Sequence, residues 1–178
     1  TTRGCPFACT FCYSGHDSQS RVTSFKAETI AKTLKYIVSR VQDCEELCCA
    51  DLNFGMYPAD IQTAQVIGQL QKDTGYPKFF SAYAGKNKPE RVMEVAQLLN
   101  GSWGMGAAFQ SGDPEILEAI KRTNISQKKL VDYVGYSQEN DSSLYFELIV
   151  GLPLDTKEKH FDTLRLGLEA GVNDFKIY

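Results

Sequence analysis

Leu144–Val150 reads LYFELIV, Lys157–Ala170 reads KEKHFDTLRLGLEA, and Asp174–Tyr178 reads DFKIY. The first segment is a short apolar run of the kind that forms a buried strand. The second is an amphipathic helix for which Thr156 can serve as N-cap. The third is another strand. A strand, a helix and a strand in this order bring the second strand back parallel to the first by a right-handed crossover.

The same alternation continues upstream. Glu28–Val41 places Ile30, Leu34, Ile37, Val38 and Val41 on one helical face. Glu46–Asn53 is a short strand with a polar end, and Ala59–Lys72 is a helix. Lys78–Ala84 is a strand, and Pro89–Leu99 is a helix whose proline suits the first turn. Trp103–Phe109 is a strand. Pro114–Lys121 is a helix capped by Asp113, and Gln127–Gln138 is a further helix. Five readable strands and a first one mostly cut away before Cys5 make six βα units. The class is α/β with parallel strands. The helices could cover both faces of an open sheet or the outside of a partial barrel, and periodicity leaves both open.

Composition agrees with one folded domain. The chain has 178 residues, 43% hydrophobic and 23% charged, which excludes disorder, collagen and a plain coiled coil. The formal net charge is −3, so no strongly basic face advertises nucleic acid as a partner. No apolar run approaches the roughly 20 residues of a membrane span. The chain opens on Thr1-Thr2-Arg3-Gly4-Cys5 without Met or signal peptide. The expectation is a cytoplasmic protein of which residues 1–178 are one internal domain, not a disulfide framework.

Three of the six cysteines fall in Cys5-Pro6-Phe7-Ala8-Cys9-Thr10-Phe11-Cys12. Three thiolates from one loop can hold three corners of an iron–sulfur cluster and leave the fourth iron open for a ligand. Zinc is the alternative, with His16 as the fourth ligand to Cys5, Cys9 and Cys12. That reading would make the chain a non-catalytic metal-binding module.

The Cys-x3-Cys-x2-Cys spacing, with aromatic Phe11 before the third cysteine, resembles the signature of the radical S-adenosylmethionine superfamily. The resemblance implies a partial (β/α)6 barrel of TIM type with outer helices, its first strand truncated here. It implies a [4Fe–4S] cluster on Cys5, Cys9 and Cys12 and an enzyme that binds S-adenosylmethionine. That cofactor is cleaved reductively to a 5′-deoxyadenosyl radical or used in methyl transfer. The partners implied are a one-electron reductant such as flavodoxin or ferredoxin and a substrate that the sequence leaves unknown.

Further segments carry the resemblance along the chain. Asp51-Leu52-Asn53-Phe54-Gly55-Met56 occupies the place of the family's Gly-Gly-Glu segment, so Asp51 or Asn53 is expected at the methionine amino group. Phe109-Gln110-Ser111 and the later Arg122 are similar to a Gln-Ser…Arg segment of the coproporphyrinogen-oxidase-like and methylthiotransferase-like branches. This implies Gln110, with Ser111 beside it, at the ribose hydroxyls and Arg122 at the methionine carboxylate, which suits its bidentate fork. Glu147 and Gly151 resemble the fifth-strand segment, where Glu147 would accept from the ribose and Gly151 would allow close backbone approach. On the third strand, Ser81 or Tyr83 would point inward. The cysteine loop and Asp51–Asp60 look most like enzymes with a cobalamin-binding domain before the radical core, which implies cobalamin in an upstream domain.

The other candidates have plainer readings. Cys44, Cys48 and Cys49 are expected as small core hydrophobes. Tyr13 is expected beside the cluster or adenine, His16 in a loop, and His160 on the surface.

Overall fold

The computed structural model describes all residues, Thr1–Tyr178. The elements in order are β1 (Thr2–Arg3), β2 (Thr23–Ser24), α1 (Ala27–Val38), β3 (Glu46–Cys48), α2 (Pro58–Thr74), β4 (Phe79–Ser81) and α3 (Pro89–Leu98). They continue with β5 (Met105–Gln110), α4 (Pro114–Ala119), α5 (Gln127–Glu139), β6 (Leu144–Leu148), α6 (Lys157–Glu169) and β7 (Phe175–Ile177).

The strands from β3 onward pair in parallel. β3 pairs with β4, and β5, β6 and β7 form a three-stranded sheet. A single parallel bridge, Phe80 to Trp103, joins β4 to the β5 segment, with Phe80 N donating to the Ser102 carbonyl at 2.9 Å. Each strand therefore neighbours the next in chain order, without the reversal of a doubly wound sheet. The wall is not closed: β3 and β7 have no strand on their outer edges.

The expected truncated first strand is a different feature. β1 pairs antiparallel with β2, Thr2 opposite Ser24 and Arg3 opposite Thr23. This two-residue ladder clasps the base of the cysteine loop and adds no parallel strand. The chain thus shows five parallel strands.

Caps explain several helix starts. Asp113 accepts from the Glu115 and Ile116 amides, and Thr156 accepts from Lys159 N. Pro89 occupies the first turn of α3.

Under the sheet, Phe54, Phe80 and Trp103 pack with ring centroids 5.1–6.1 Å apart. Such pairs contribute about 0.5–1.5 kcal/mol each beyond their buried area. Trp103 satisfies its indole N–H on the Ala82 carbonyl at 3.2 Å. Phe109 on β5, Phe146 on β6 and Phe175 on β7 continue the core across the sheet.

Cys44 and Cys48 depart from the expected core packing, since both are exposed, and Cys49 is half-buried. β3 is an edge strand three residues long, so its alternation leaves Cys48 outward and Leu47 inward. His160 is half-buried, edge-on to Phe161, not fully on the surface.

Candidate functional site

The loop after β1 is built by short local bonds. Cys5 N donates to the Gln19 carbonyl at 2.9 Å, Cys12 N to Cys9 O at 3.1 Å, and Gly15 N to Cys12 O at 2.9 Å. Two glycines make this path possible. Gly4 sits at φ +92°, and a Cβ there would lie 2.3 Å from the Arg21 carbonyl oxygen. A Cβ on Gly15 would lie 2.3 Å from the Cys9 carbonyl oxygen. Across the domain, Thr10 N donates to the Ile120 carbonyl at 3.1 Å, which fixes the loop against the end of α4.

This loop forms one wall of a cavity of about 310 Å³ at the C-terminal ends of the strands. Its lining includes Cys5, Cys9, Cys12 and Phe11 from the loop, and Asn53 from the turn after β3. Gln110 closes β5, Arg122 follows α4, and Glu147 comes from β6. Eight of the twelve residues singled out from sequence thus share one cavity.

The other four lie outside its lining. Asp51 is 3% exposed, and both its carboxylate oxygens accept from Thr2 N at 3.0 Å while Oδ2 also accepts from the Thr2 hydroxyl at 3.2 Å. Its carboxylate therefore holds the entry to the cysteine loop. Ser81 stays in the β4 ladder, its carbonyl accepting from Cys49 N at 2.8 Å, and Tyr83 takes the place on the cavity wall. Ser111 is buried and accepts from Asp113 N at 3.2 Å. Gly151 is exposed, its N–H on Asp155 Oδ2 at 3.1 Å. Tyr13 is 81% exposed and faces solvent, contrary to its expected place beside the cavity, because the 3₁₀ turn at Tyr13–Gly15 directs it outward.

The polar side chains that contact Cys5 and Cys9 are donors. Asn53 Nδ2 donates to Cys5 Sγ at 3.4 Å, Lys86 Nζ lies 3.7 Å from Cys9 Sγ, and Arg122 Nη1 lies 3.8 Å from the same sulfur. Arg122 also donates through Nη2 to the Ala108 carbonyl and through Nε to Asn124 Oδ1 at 3.0 Å. Asn124 is itself fixed by the Phe109 and Ser111 carbonyls at 2.9 and 2.8 Å. Burial and the neighbouring Arg122 charge push the Lys86 ammonium below its ordinary value, against the Cys9 sulfur, which pulls it up. Lys86 and Asn124 have no signal in the sequence, since each is a lone polar residue in a loop.

Gln110 adopts φ +65° where the β5–β6 register shifts, a bulge that turns its side chain into the cavity. Its Oε1 is buried without a hydrogen-bond partner. Burial pushes the Glu147 carboxyl above the ordinary range, opposed by Lys176, Arg122 and Gln110. Tyr145 covers the far side of the cavity, its phenol pushed up to about 12 by burial and the nearby Glu147.

His16 is not in the lining. Its Nδ1 accepts from Ser18 N at 3.4 Å in a local turn. No three cysteine, histidine or carboxylate side chains converge on a point that a single ion could occupy. No helix is long and apolar enough to cross a membrane.

Comparison with known proteins gives the family of the chain. The 2-(S-pantetheinyl)-carbapenam-3-carboxylate methyltransferase of Streptantibioticus cattleyicolor is 34% identical over all of this chain. The cobalamin-dependent radical SAM methyltransferase TokK of Streptomyces tokunonensis is 32% identical, again over the whole chain. The chain spans 26% of the length of each. A tRNA-2-methylthio-N(6)-dimethylallyladenosine synthase of Bdellovibrio bacteriovorus is 24% identical over 96% of the chain and 38% of its own length. In fold, the chain is similar to the radical S-adenosylmethionine methyltransferase TsrM of Kitasatospora setae, with a TM-score of 0.81 at 15% identity, over 99% of this chain and 34% of that one. The family model of the Radical SAM superfamily, whose cofactors are a [4Fe–4S] cluster and S-adenosylmethionine, matches residues 1–173, and the chain belongs to that superfamily.

Proposed function

We propose that residues 1–178 are the cofactor-handling domain of a radical S-adenosylmethionine methyltransferase. Cys5, Cys9 and Cys12 would hold a [4Fe–4S] cluster, and the rest of the cavity would hold S-adenosylmethionine. The observation that carries this reading is the donor set: three free thiols on one cavity, faced by Asn53, Lys86 and Arg122 with no carboxylate paired to either cation. Such a wall suits thiolates and an anionic ligand. The buried, unpartnered Gln110 Oε1 is a ready acceptor for a ligand donor such as a hydroxyl.

Held by Cys5, Cys9 and Cys12, such a cluster would supply one-electron chemistry at the sulfonium of S-adenosylmethionine, with a reductant such as flavodoxin or ferredoxin as the electron source. The chain's own residues do the rest. Arg122, oriented by Ala108 and Asn124, would take the methionine carboxylate. Gln110 and Glu147 would take the ribose hydroxyls, and Asn53 would brace the Cys5 ligand. Phe11, Leu52 and Tyr83 would cover the site and keep water from the reacting atoms.

The two methyltransferases at 34% and 32% identity support methyl transfer as the reaction, with cobalamin supplied by another part of the whole protein. The zinc module is less favoured, because His16 is committed to its own turn and the thiols do not converge on one ion.

The test uses the whole protein, reconstituted anaerobically with iron and sulfide, supplied with reductant and S-adenosylmethionine. The expected result is reductant-dependent consumption of S-adenosylmethionine, with 5′-deoxyadenosine or S-adenosylhomocysteine as product. No consumption by a protein that carries its full cluster would overturn the proposal.

A further inference from the structure

Lys86 has one hydrogen-bond acceptor in the structure, the Cys9 sulfur at 3.7 Å. Its position is fixed from two sides. Gly85 N donates to the Phe54 carbonyl at 2.9 Å, which pins the backbone before it, and its ammonium sits 4.0 Å from the centroid of the Phe7 ring. Arg122, from the segment after α4, reaches the same sulfur. Neither cation forms an ion pair with a carboxylate. Two half-buried cations beside one sulfur repel each other unless negative charge lies between them. A cysteine that ligates iron is a thiolate and supplies that charge.

Their duties differ. Arg122 has two further acceptors on the protein and is held in a fixed plane. Lys86 has only the sulfur. Adding an electron to a cluster makes it more negative, so a full positive charge and an N–H···S bond on one ligand stabilise the reduced form more than the oxidised one. We propose that Lys86 is a positioning residue for electron delivery: through Cys9 it raises the reduction potential of the cluster. The inference rests on the cluster reading above.

The test is a redox titration of the reconstituted whole protein without S-adenosylmethionine, following the paramagnetic signal of the reduced cluster. Leaving the cofactor out separates an effect on the sulfur from one on a bound carboxylate. Lys86→Met and Lys86→Gln should lower the reduced-to-oxidised ratio at fixed poise by up to tenfold, a shift of about 59 mV for one electron. Lys86→Arg should restore most of it. Unchanged potentials in Lys86→Met and Lys86→Gln, with normal iron content, overturn the role of Lys86 and leave the cluster reading standing. Loss of the cluster in all three variants also overturns it, since Lys86 would then serve assembly. A wild-type protein with no iron–sulfur signal overturns both.

Discussion

Arg122 Nη1 lies 3.8 Å from Cys9 Sγ, 113 residues away in the chain. The contact exists because two segments meet at one rim of the sheet. The cysteine loop is tied to the end of α4 through Thr10 and Ile120, and Arg122 lies two residues past that carbonyl. Asn124 and the Ala108 carbonyl then set the guanidinium plane. A loop that would bind metal and a cation that would bind the cofactor's carboxylate are thereby held in one register.

Asn124 should matter more than its place in a loop suggests. Asn124→Ala frees Arg122 Nε and leaves the Ser111 carbonyl without its donor, while the Phe109 carbonyl keeps the Ser111 amide. Each buried group left unpaired costs about 1–3 kcal/mol. The expected outcome is a lower urea midpoint together with weaker binding of S-adenosylmethionine in equilibrium dialysis. Wild-type affinity in this variant would show that Arg122 needs no such support.

Asp51 and Asn53 are separated by one residue and should fail differently. Asp51→Ala removes the acceptor of the Thr2 amide and hydroxyl and should cost about 1–3 kcal/mol of stability. Asn53→Ala leaves those bonds intact and removes the donor to Cys5. Its melting temperature should stay near wild type while the visible spectrum of the reconstituted cluster changes. The reverse pattern would contradict the assignment of Asn53, not Asp51, to the cavity.

Gly15→Ala should lower iron incorporation several-fold, because its Cβ would strike the Cys9 carbonyl and displace the loop. Gly135→Ala, in the middle of α5, meets nothing within 4 Å and should instead stabilise the domain by about 0.5–1 kcal/mol. Iron analysis and thermal melts on both variants give the comparison. Equal iron content in the two would mean that the loop does not need the close approach at residue 15.

Glu147 predicts a pH dependence. Burial raises its carboxyl above the ordinary 4.5, so the folded state holds the proton more tightly than the unfolded chain does. This favours folding at low pH, and the benefit is lost as pH rises from 4.5 through the raised value. Glu147→Gln carries no such cost. It should be more stable than wild type at neutral pH, with the difference shrinking as pH falls toward 4.5. Urea melts of both proteins across this range check it, and a difference that grows on acidification would contradict it.

How much of this the sequence carries varies by element. The six helices follow from apolar spacing, and Asp113, Thr156 and Pro89 mark the starts of three of them. Strand ends are less legible. β3 stops at Cys48, and the chain then turns, so strict alternation cannot say which of Asp51 and Asn53 faces the cavity. The cysteine loop is legible from spacing alone, and Gln110 and Arg122 from resemblance. Lys86 and Asn124 are not, because their partners lie in other segments of the chain. Only the fold brings residues 77 and 113 positions from Cys9 to the same sulfur.

The most direct test is metal analysis of the anaerobically reconstituted protein beside its Cys9→Ser variant. The account predicts about four iron and four sulfide per chain in the wild type, with a brown chromophore, as for one [4Fe–4S] cluster. It predicts loss of the cluster in Cys9→Ser, with the protein still folded. One zinc per colourless chain, or a wild-type iron content in Cys9→Ser, would contradict it.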